Sequence, residues 1–323
     1  MKKAKYVPLI VCFYLFTINC TAQGDGPRAE LFAPTGVWGV NPKYLHLEQN
    51  LLPAGNILVE GANFKIDVFP TTFFHTFGIG TNYARVLAMV NPGSGKATAE
   101  INPQIPIPID ELNFDGFSDG FVAFEMGILN TPALNVVEFA KLEPEVRVTG
   151  QFRLWYSGSY DSDKLVNLGT NRFALEFRST LLIPLFKSLE QKQTWIEFVP
   201  KLQFFTANND PARSSTASKI EQDPFFMIES HLSHNFTKKL WASADLGYQY
   251  GGSTAADGVS DDNTINFLGG GASLGYQILP YLGAYGSYGT DFFNGQTGVN
   301  AEMLRLSVVF TYVNLNKLKK ESN

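Results

Sequence analysis

The sequence predicts an all-β protein, a transmembrane antiparallel up-and-down β-barrel of about twelve strands. Three observations favour this fold class. The chain begins with an export signal, its apolar residues alternate with polar residues at a period of two, and short connections alternate with long polar ones. After the leader, no segment has the run of about eighteen apolar residues that a spanning helix requires.

Residues 1–22 have the organisation of a secretory signal peptide. A positive stretch over 2–5 precedes an apolar run over 6–18, which is too short for a comfortable membrane span. Small residues lead to an expected cleavage site after Ala22, in a style that indicates a Gram-negative source. A lipidated Cys20 is the alternative, which the lack of small residues just before it disfavours.

The composition excludes several kinds of site. Cys12 and Cys20, the two cysteines of the sequence, both lie in the leader, so the mature chain has no thiol for a disulfide, a metal site or a nucleophile. No cofactor and no metal are expected. The net charge of −5 disfavours nucleic acid as a partner, because phosphate binding requires a clustered basic face.

Alternation at a period of two identifies the strands. Over 145–156, apolar side chains fall on one face and charged side chains on the other, for about ten residues, the length that a tilted strand needs to cross a bilayer. A soluble sandwich also alternates, but with shorter strands. Strands are predicted near 37–49, 63–77, 82–91, 117–129, 144–157, 171–184, 193–206, 224–236, 240–251, 264–278, 281–291 and 300–313.

The lengths of the connections give an independent indication. Short connections are predicted at 78–81, 185–192, 237–239 and 279–280. Long polar connections are predicted at 92–116, 158–170, 207–223 and 252–263. Their alternation is typical of a barrel with short periplasmic turns and longer extracellular loops, and an even number of strands then leaves both termini on the periplasmic side.

The pattern divides the chain into four parts. After the signal peptide 1–22 come an N-terminal periplasmic segment or plug (23–36), the transmembrane barrel (37–314) and a basic periplasmic tail (315–323). The plug is a hypothesis. It is motivated by the proline-containing stretch 24–34 before the first strand and by glycines in the late strands, which can admit another segment close to the wall.

One connection predicts a short helix. Thr131 resembles an N-cap, Pro132 occupies the first helical position, and 133–142 forms the helix. The helix either seals the barrel rim or serves as a periplasmic gate or docking element.

Charged side chains on the predicted strands define the candidate site. Facing lipid would cost each charge about 2–4 kcal/mol near the midplane, so these side chains should line the lumen. The predicted lining consists of Glu145, Arg147, Arg153, Arg172, Glu176, Arg178, Glu197, Lys201, Glu229, His231, Asp245 and Arg305. Aromatic side chains that are also predicted to point inward are Phe69, Phe73, Trp155, Phe205, Trp241, Phe267 and Tyr285.

Two interpretations of this lining remain open. Fixed charges can line a water-filled path, in which an arginine ladder favours anionic or carboxylated aromatic solutes. The same charges can instead form a salt-bridge network that closes a narrow barrel, helped by the inward aromatic side chains.

Other motifs do not support catalysis. The sequence Gly93–Lys96 resembles a phosphate loop, but Val90 and Ala97 occupy positions that require glycine and a hydroxyl, and a flexible outer loop is predicted. Ser230 and His231 are adjacent strand residues and point to opposite faces, so they cannot form a nucleophile–base pair. Acidic residues of predicted outer loops, solvated or bridged by cations to lipopolysaccharide, are Asp115, Asp119, Asp257, Asp261 and Asp262.

Residues 163–172, Asp-Lys-Leu-Val-Asn-Leu-Gly-Thr-Asn-Arg, resemble the central signature of the outer-membrane family named for the meta-pathway of phenol degradation. Further similarity to the family lies at 25–28, 33–34, 221–224, 240–243 and 250–252. The resemblance implies a transporter-like barrel for aromatic or other hydrophobic compounds. The basic stretch 317–320 departs from the usual barrel ending near a terminal aromatic residue.

These observations predict a passive outer-membrane channel or transporter for small hydrophobic or aromatic compounds, without enzymatic activity. Its expected partners are the solute, outer-membrane lipids, lipopolysaccharide and the barrel-assembly machinery. A structural or adhesion barrel with a closed lumen is the alternative. An outer-membrane lipid hydrolase is a weaker one, since no nucleophile motif is present.

Overall fold

The computed structural model describes residues 25–52, 57, 62–99, 112–186, 193–213, 215–293 and 298–313. The predicted signal peptide, its cleavage site and the basic tail lie outside these residues. Among the described residues, no helix is long and apolar enough to cross a membrane.

The described chain is almost entirely β-structure, with one short helix, α1, at Val136–Phe139. Numbered in chain order, the strands are β1 Val37–Gln49, β2 Ala62–Val68, β3 Thr71–Ile79, β4 Asn82–Ala99, β5 Leu112–Leu129, β6 Arg147–Tyr156, β7 Ala174–Phe186, β8 Thr194–Phe205, β9 Ile220–Gln222, β10 Phe225–Asn235, β11 Leu240–Gly251, β12 Thr254–Ala256, β13 Val259–Ser260, β14 Ile265–Leu279, β15 Leu282–Phe293 and β16 Ala301–Val313.

A single antiparallel sheet closes into a barrel through the pairing of β1 with β16. The sheet has thirteen strands, of which β2 and β3 both pair with β1 and are two halves of one interrupted strand. The barrel therefore has twelve spanning strands, which confirms the predicted fold class. The short strands β9, β12 and β13 form a separate sheet in the long-loop region.

The interruption between β2 and β3 lies at Pro70. Proline has no backbone N–H and cannot donate to the ladder. The carbonyl of Pro70 still accepts a hydrogen bond from the Lys43 N–H at 2.9 Å, so pairing with β1 resumes immediately. The wall is bent here without losing closure.

Strands β4 and β5 are longer than predicted. Residues 92–99 and 112–116 belong to them, although the sequence analysis placed both in a loop. The flexible loop predicted at Gly93–Lys96 is therefore wrong: Gly93 pairs with Val68 of β2 and with Gly116 of β5. Backbone pairing on both sides satisfies this stretch, in which the exposed Ser94, Lys96 and Thr98 alternate with less exposed glycine and alanine.

The helix begins later than predicted. Asn135, not Thr131, is the N-cap of α1, and its side-chain oxygen accepts hydrogen bonds from the N–H groups of Val137 and Glu138 at 2.9 and 3.0 Å. Thr131 cannot start a helix because its carbonyl accepts the N–H of Tyr83, which ties this stretch to β4.

The outer face of the barrel is apolar along its middle and aromatic near the periplasmic rim. Trp38 and Tyr312 are paired neighbours at this rim, and Tyr281 lies in the β14–β15 turn. All three side chains are exposed on the outer surface. Aromatic residues at the interface flank the lipid-facing band of outer-membrane barrels.

The substitution Phe152→Arg tests this orientation. Phe152 lies near the middle of β6, is 40% exposed, and its ring centroid is 5.3 Å from that of Phe177 on the neighbouring strand. We expect the free energy of unfolding in lipid to fall by about 2–4 kcal/mol, because a charge at the midplane is poorly solvated. Tyr312→Arg at the rim is the matched control, with an expected loss of about 0–1 kcal/mol. Equal losses at both depths would contradict the placement of the membrane.

Candidate functional site inside the barrel

The predicted lining residues share one property: apart from Glu145, their side chains are buried. Glu145 is exposed, because β6 begins two residues later, at Arg147. The predicted position of Glu145 in the lining is therefore wrong. Arg147 itself is held at the periplasmic end of the strand, where its guanidinium donates to the carbonyls of Asn130 and Glu143 at 3.0 and 2.7 Å.

Two predicted inward aromatic residues face outward. Phe69 and Phe73 are 49% and 50% exposed, because the buried positions of β2 and β3 are the even-numbered ones, such as Ile66 and Thr76. The charged side chains of β2 also lie on the outside. Lys65 and Asp67 lie on the outer face, near the long-loop end of the strand, where they pair with side chains of β1.

The N-terminal segment 25–34 places two acidic side chains against buried arginines. Glu30 bridges three of them: its carboxylate lies 2.5 Å from Arg85, 2.7 Å from Arg153 and 2.8 Å from Arg178. Asp25 is also paired with Arg153, at 2.8 Å. These ion pairs join the segment to β4, β6 and β7, so Arg153 and Arg178 of the predicted arginine ladder are neutralised by the protein's own carboxylates.

Arg28 fastens the same segment to the opposite side of the interior. Its guanidinium carbon is 4.4 Å from the ring centroid of Trp195 and 4.0 Å from that of Trp241. Its Nη2 donates to the side-chain oxygen of Asn235 at 2.8 Å. Stacking on aromatic rings and a directional hydrogen bond together fix this arginine in place.

Gly26 allows the segment to turn inside the barrel. Its φ of +88° lies in the left-handed region, and an added Cβ would overlap the Arg305 guanidinium. Only glycine adopts this conformation without strain.

A cavity of about 190 Å³ lies between the Asp25 ion pairs and the extracellular end of the barrel. Charged residues that line it are Asp25, Lys43, Asp119, Arg153, Arg172, Glu176, Arg178, Lys201 and Arg305. Apolar residues that line it are Leu45, Leu47, Val68, Pro70, Met89, Trp155, Ala174, Phe205, Phe225, Met227 and Met303. A second cavity, of about 510 Å³, lies on the periplasmic side and is lined by the segment itself and by residues such as Trp241 and Tyr281.

The connection between β6 and β7, residues 157–173, folds inward over the first cavity. Leu168 is fully buried among Leu47, Ile66 and Phe114 of the barrel wall. Asp119 on β5 secures the connection, because its carboxylate accepts the N–H groups of Gly158 and Thr170, both at 3.0 Å. The sequence analysis missed this role and treated Asp119 as a solvated loop charge, since nothing in the local pattern links it to Thr170.

The other acidic loop residues behave differently from Asp119. Asp115, Asp257, Asp261 and Asp262 are exposed. Asp257 accepts hydrogen bonds from the N–H and hydroxyl of Ser218, which lower the pKa of its carboxyl. It thereby joins two of the long loops.

The family model described as "Putative MetA-pathway of phenol degradation" matches residues 54–302, which is most of the sequence. The chain belongs to this family. The residues that carried the resemblance, 163–172, are those of the inward connection that contributes Leu168 and Arg172 to the interior.

Solved structures show the same fold as this member of the phenol-degradation family. The COG4313 outer membrane channel from Pseudomonas putida F1 superposes with a TM-score of 0.69 at 15% identity, covering 89% of this chain and 99% of that one. The β domain of the Bordetella autotransporter BrkA superposes with a TM-score of 0.51 at 8% identity, covering 85% and 100%. None of the curated protein sequences matches the chain significantly. The fold is that of an outer-membrane β-barrel.

His231, a candidate base in this family member, belongs to a buried polar network. Its Nδ1 is 2.8 Å from the carboxylate of Asp245, which also accepts the hydroxyl of Ser273 at 2.6 Å. Nucleophilic catalysis requires the serine to contact the imidazole, and Ser273 contacts the aspartate instead. Ser230 and His231 lie on opposite faces, as predicted, since Ser230 is half-exposed while His231 is buried. Within the described ranges, no cluster of side chains could hold a metal ion.

Proposed function

We propose that this barrel is a passive outer-membrane channel for small hydrophobic or aromatic compounds, in which segment 25–34 is an internal plug. The observation that carries the proposal is the cavity of about 190 Å³ beneath the inward connection, with largely apolar walls. A dry cavity of about 150 Å³ is large enough to bind benzene, so one aromatic ring fits here.

Membership of the phenol-degradation family and the similarity to the Pseudomonas putida channel support this proposal. The closed structural barrel is the second candidate. It is favoured by the ion pairs that hold Glu30 and by the apolar clusters at the extracellular end, which fill part of the interior. In the channel we propose, movement of the plug or of the inward connection opens the path.

Filling the cavity distinguishes the two candidates. Ala174 is buried and lines the cavity, whereas the next residue of β7, Leu175, is exposed to lipid. In porin-depleted Gram-negative cells, expression of the wild-type protein should raise the uptake of radiolabelled benzyl alcohol. We expect Ala174→Phe to remove most of this increase, because the added ring occupies the space of the solute.

Leu175→Phe is the matched control and should leave uptake unchanged, since it adds the same ring on the opposite face. Surface amounts of each variant are compared by labelling intact cells. If the wild-type protein does not raise uptake, or if Ala174→Phe transports as well as wild type, the closed structural barrel is the better assignment.

A further inference from the structure

One buried arginine of the cavity has no hydrogen-bond or ion-pair partner among the described residues. Arg85, Arg153 and Arg178 meet carboxylates. Arg172, in contrast, forms no hydrogen bond or ion pair with any described residue, although it is only 5% exposed. Its Nη2 atom is buried and unsatisfied. Burying a charged donor without a partner is costly, so an orphan guanidinium in a cavity indicates that a ligand supplies the missing acceptor.

The surroundings of Arg172 keep it in place without neutralising it. Its guanidinium carbon lies 4.5 Å from the ring centroid of Phe205. Asp119, the acidic residue of the cavity wall that acts electrostatically on Arg172, is already occupied by donors of the inward connection, including the Thr170 hydroxyl at 2.5 Å. Burial lowers the pKa of Arg172 to about 10 and Asp119 opposes part of this shift, so the guanidinium remains charged at neutral pH.

The rest of the cavity limits the charge and the shape of the ligand. Asp25 and Glu176 also line it, where they pair with Arg153 and Arg178, and Lys201 pairs with Glu229. These cations are already matched by carboxylates, so Arg172 is left to meet a single negative charge. The wall near Arg172 carries Trp155 and Phe205, which offer flat apolar surfaces to a ring. A planar carboxylate matches the fork of a guanidinium and can accept two parallel hydrogen bonds from it.

We propose that Arg172 is an anion-binding residue and that the cavity takes small aromatic monocarboxylates. This inference rests on the proposed function and makes it more specific, because it assigns the solute a ring that contacts the apolar wall and one carboxylate that pairs with Arg172. Arg85, Arg153 and Arg178 pair with the plug instead.

Calorimetric titration of the purified protein with benzoate and with benzyl alcohol tests the inference. Both probes have one ring, and only benzoate is charged. For Arg172→Gln we expect the affinity for benzoate to fall at least tenfold, which corresponds to about 1.4 kcal/mol, and the affinity for benzyl alcohol to change less than twofold. Arg172→Lys keeps the charge and should recover part of the benzoate affinity.

Arg213→Gln, which changes an exposed loop arginine, is the matched control and should bind both probes as wild type does. Heat-modifiable migration in gels verifies that each variant is a folded barrel. Unchanged benzoate binding by folded Arg172→Gln overturns the inference, and so does an equal loss for both probes. If Arg172→Gln does not fold, the affinities of the wild-type protein still test the inference. Similar affinities for benzoate and benzyl alcohol would contradict a charge-selective cavity.

The outcomes separate this inference from the proposed function. If uptake of benzyl alcohol depends on the cavity but benzoate binding does not depend on Arg172, the proposed anion site is refuted and the proposed channel is retained. If the wild-type protein neither transports benzyl alcohol nor binds either probe, both the anion site and the channel are refuted.

Discussion

The double variant Asp25→Asn, Glu30→Gln is expected to conduct ions at least tenfold better than the wild-type barrel. The two carboxylates hold segment 25–34 against Arg85, Arg153 and Arg178. Hydrogen bonds to charged groups contribute about 1.5–3 kcal/mol each, so the loss of two weakens plug binding by about 3 kcal/mol or more, a factor of about a hundred in its equilibrium. Single-channel recording in planar bilayers measures the effect.

Glu138→Gln is the control for this variant, because Glu138 is an exposed carboxylate of the periplasmic helix α1 outside the interior. Its conductance should equal that of wild type. Deletion of 25–34 should raise conductance at least as much as the double variant. If both the deletion and the double variant remain folded and conduct like wild type, the segment is not what blocks the barrel.

Arg153→Met is expected to lower the free energy of unfolding by about 3–5 kcal/mol. Arg153 is 1% exposed, lies 2.7 Å from Glu30, and its guanidinium is 4.0 Å from Glu176. Methionine fills much of the volume but leaves the three carboxylates of Asp25, Glu30 and Glu176 with one cation fewer, and this uncompensated charge accounts for the expected loss. Equilibrium unfolding by denaturant in lipid vesicles, monitored by tryptophan fluorescence, gives the value.

A double-mutant cycle identifies the cause of that loss. Adding Glu30→Gln to Arg153→Met removes one of the carboxylates that has lost its cation. Part of the free energy of unfolding should therefore return, and the two substitutions should couple by about 1 kcal/mol or more. Arg213→Met, at an exposed loop position, should change stability by less than about 0.5 kcal/mol. Additive losses at positions 30 and 153 would show that the two side chains do not form the ion pair.

The barrel itself could be predicted from the sequence with considerable accuracy. β1 and β11 begin and end at the predicted residues, and the alternation of short turns with long loops follows the predicted order. The reason is physical: a spanning strand must present an apolar side chain to lipid at every second position, so its local pattern reports both its existence and its length.

The alternation of apolar and polar residues failed to predict the structure where side chains are not required to face lipid. At the long-loop ends of β2 and β4 the strands carry Lys65 and Asp67 on the outside and Gly93–Lys96 within the ladder. Charges there are not exposed to hydrocarbon, so charge no longer identifies the inner face. Phe69 and Phe73, for which the predicted inward orientation was wrong, lie on the same outer face as these charges.

By itself, then, the sequence determined that the chain is a membrane barrel, where its strands run, and that arginines are concentrated on the inner side. Only the tertiary structure decided what those arginines bind. Glu30 meets Arg153, and Arg28 meets Trp195 and Trp241, across separations of more than a hundred residues. Such contacts depend on how the closed wall surrounds the N-terminal segment, a geometry that periodicity along one strand does not encode. Among the described residues, the same closure leaves Arg172 without an ion pair while Arg153 and Arg178 are paired.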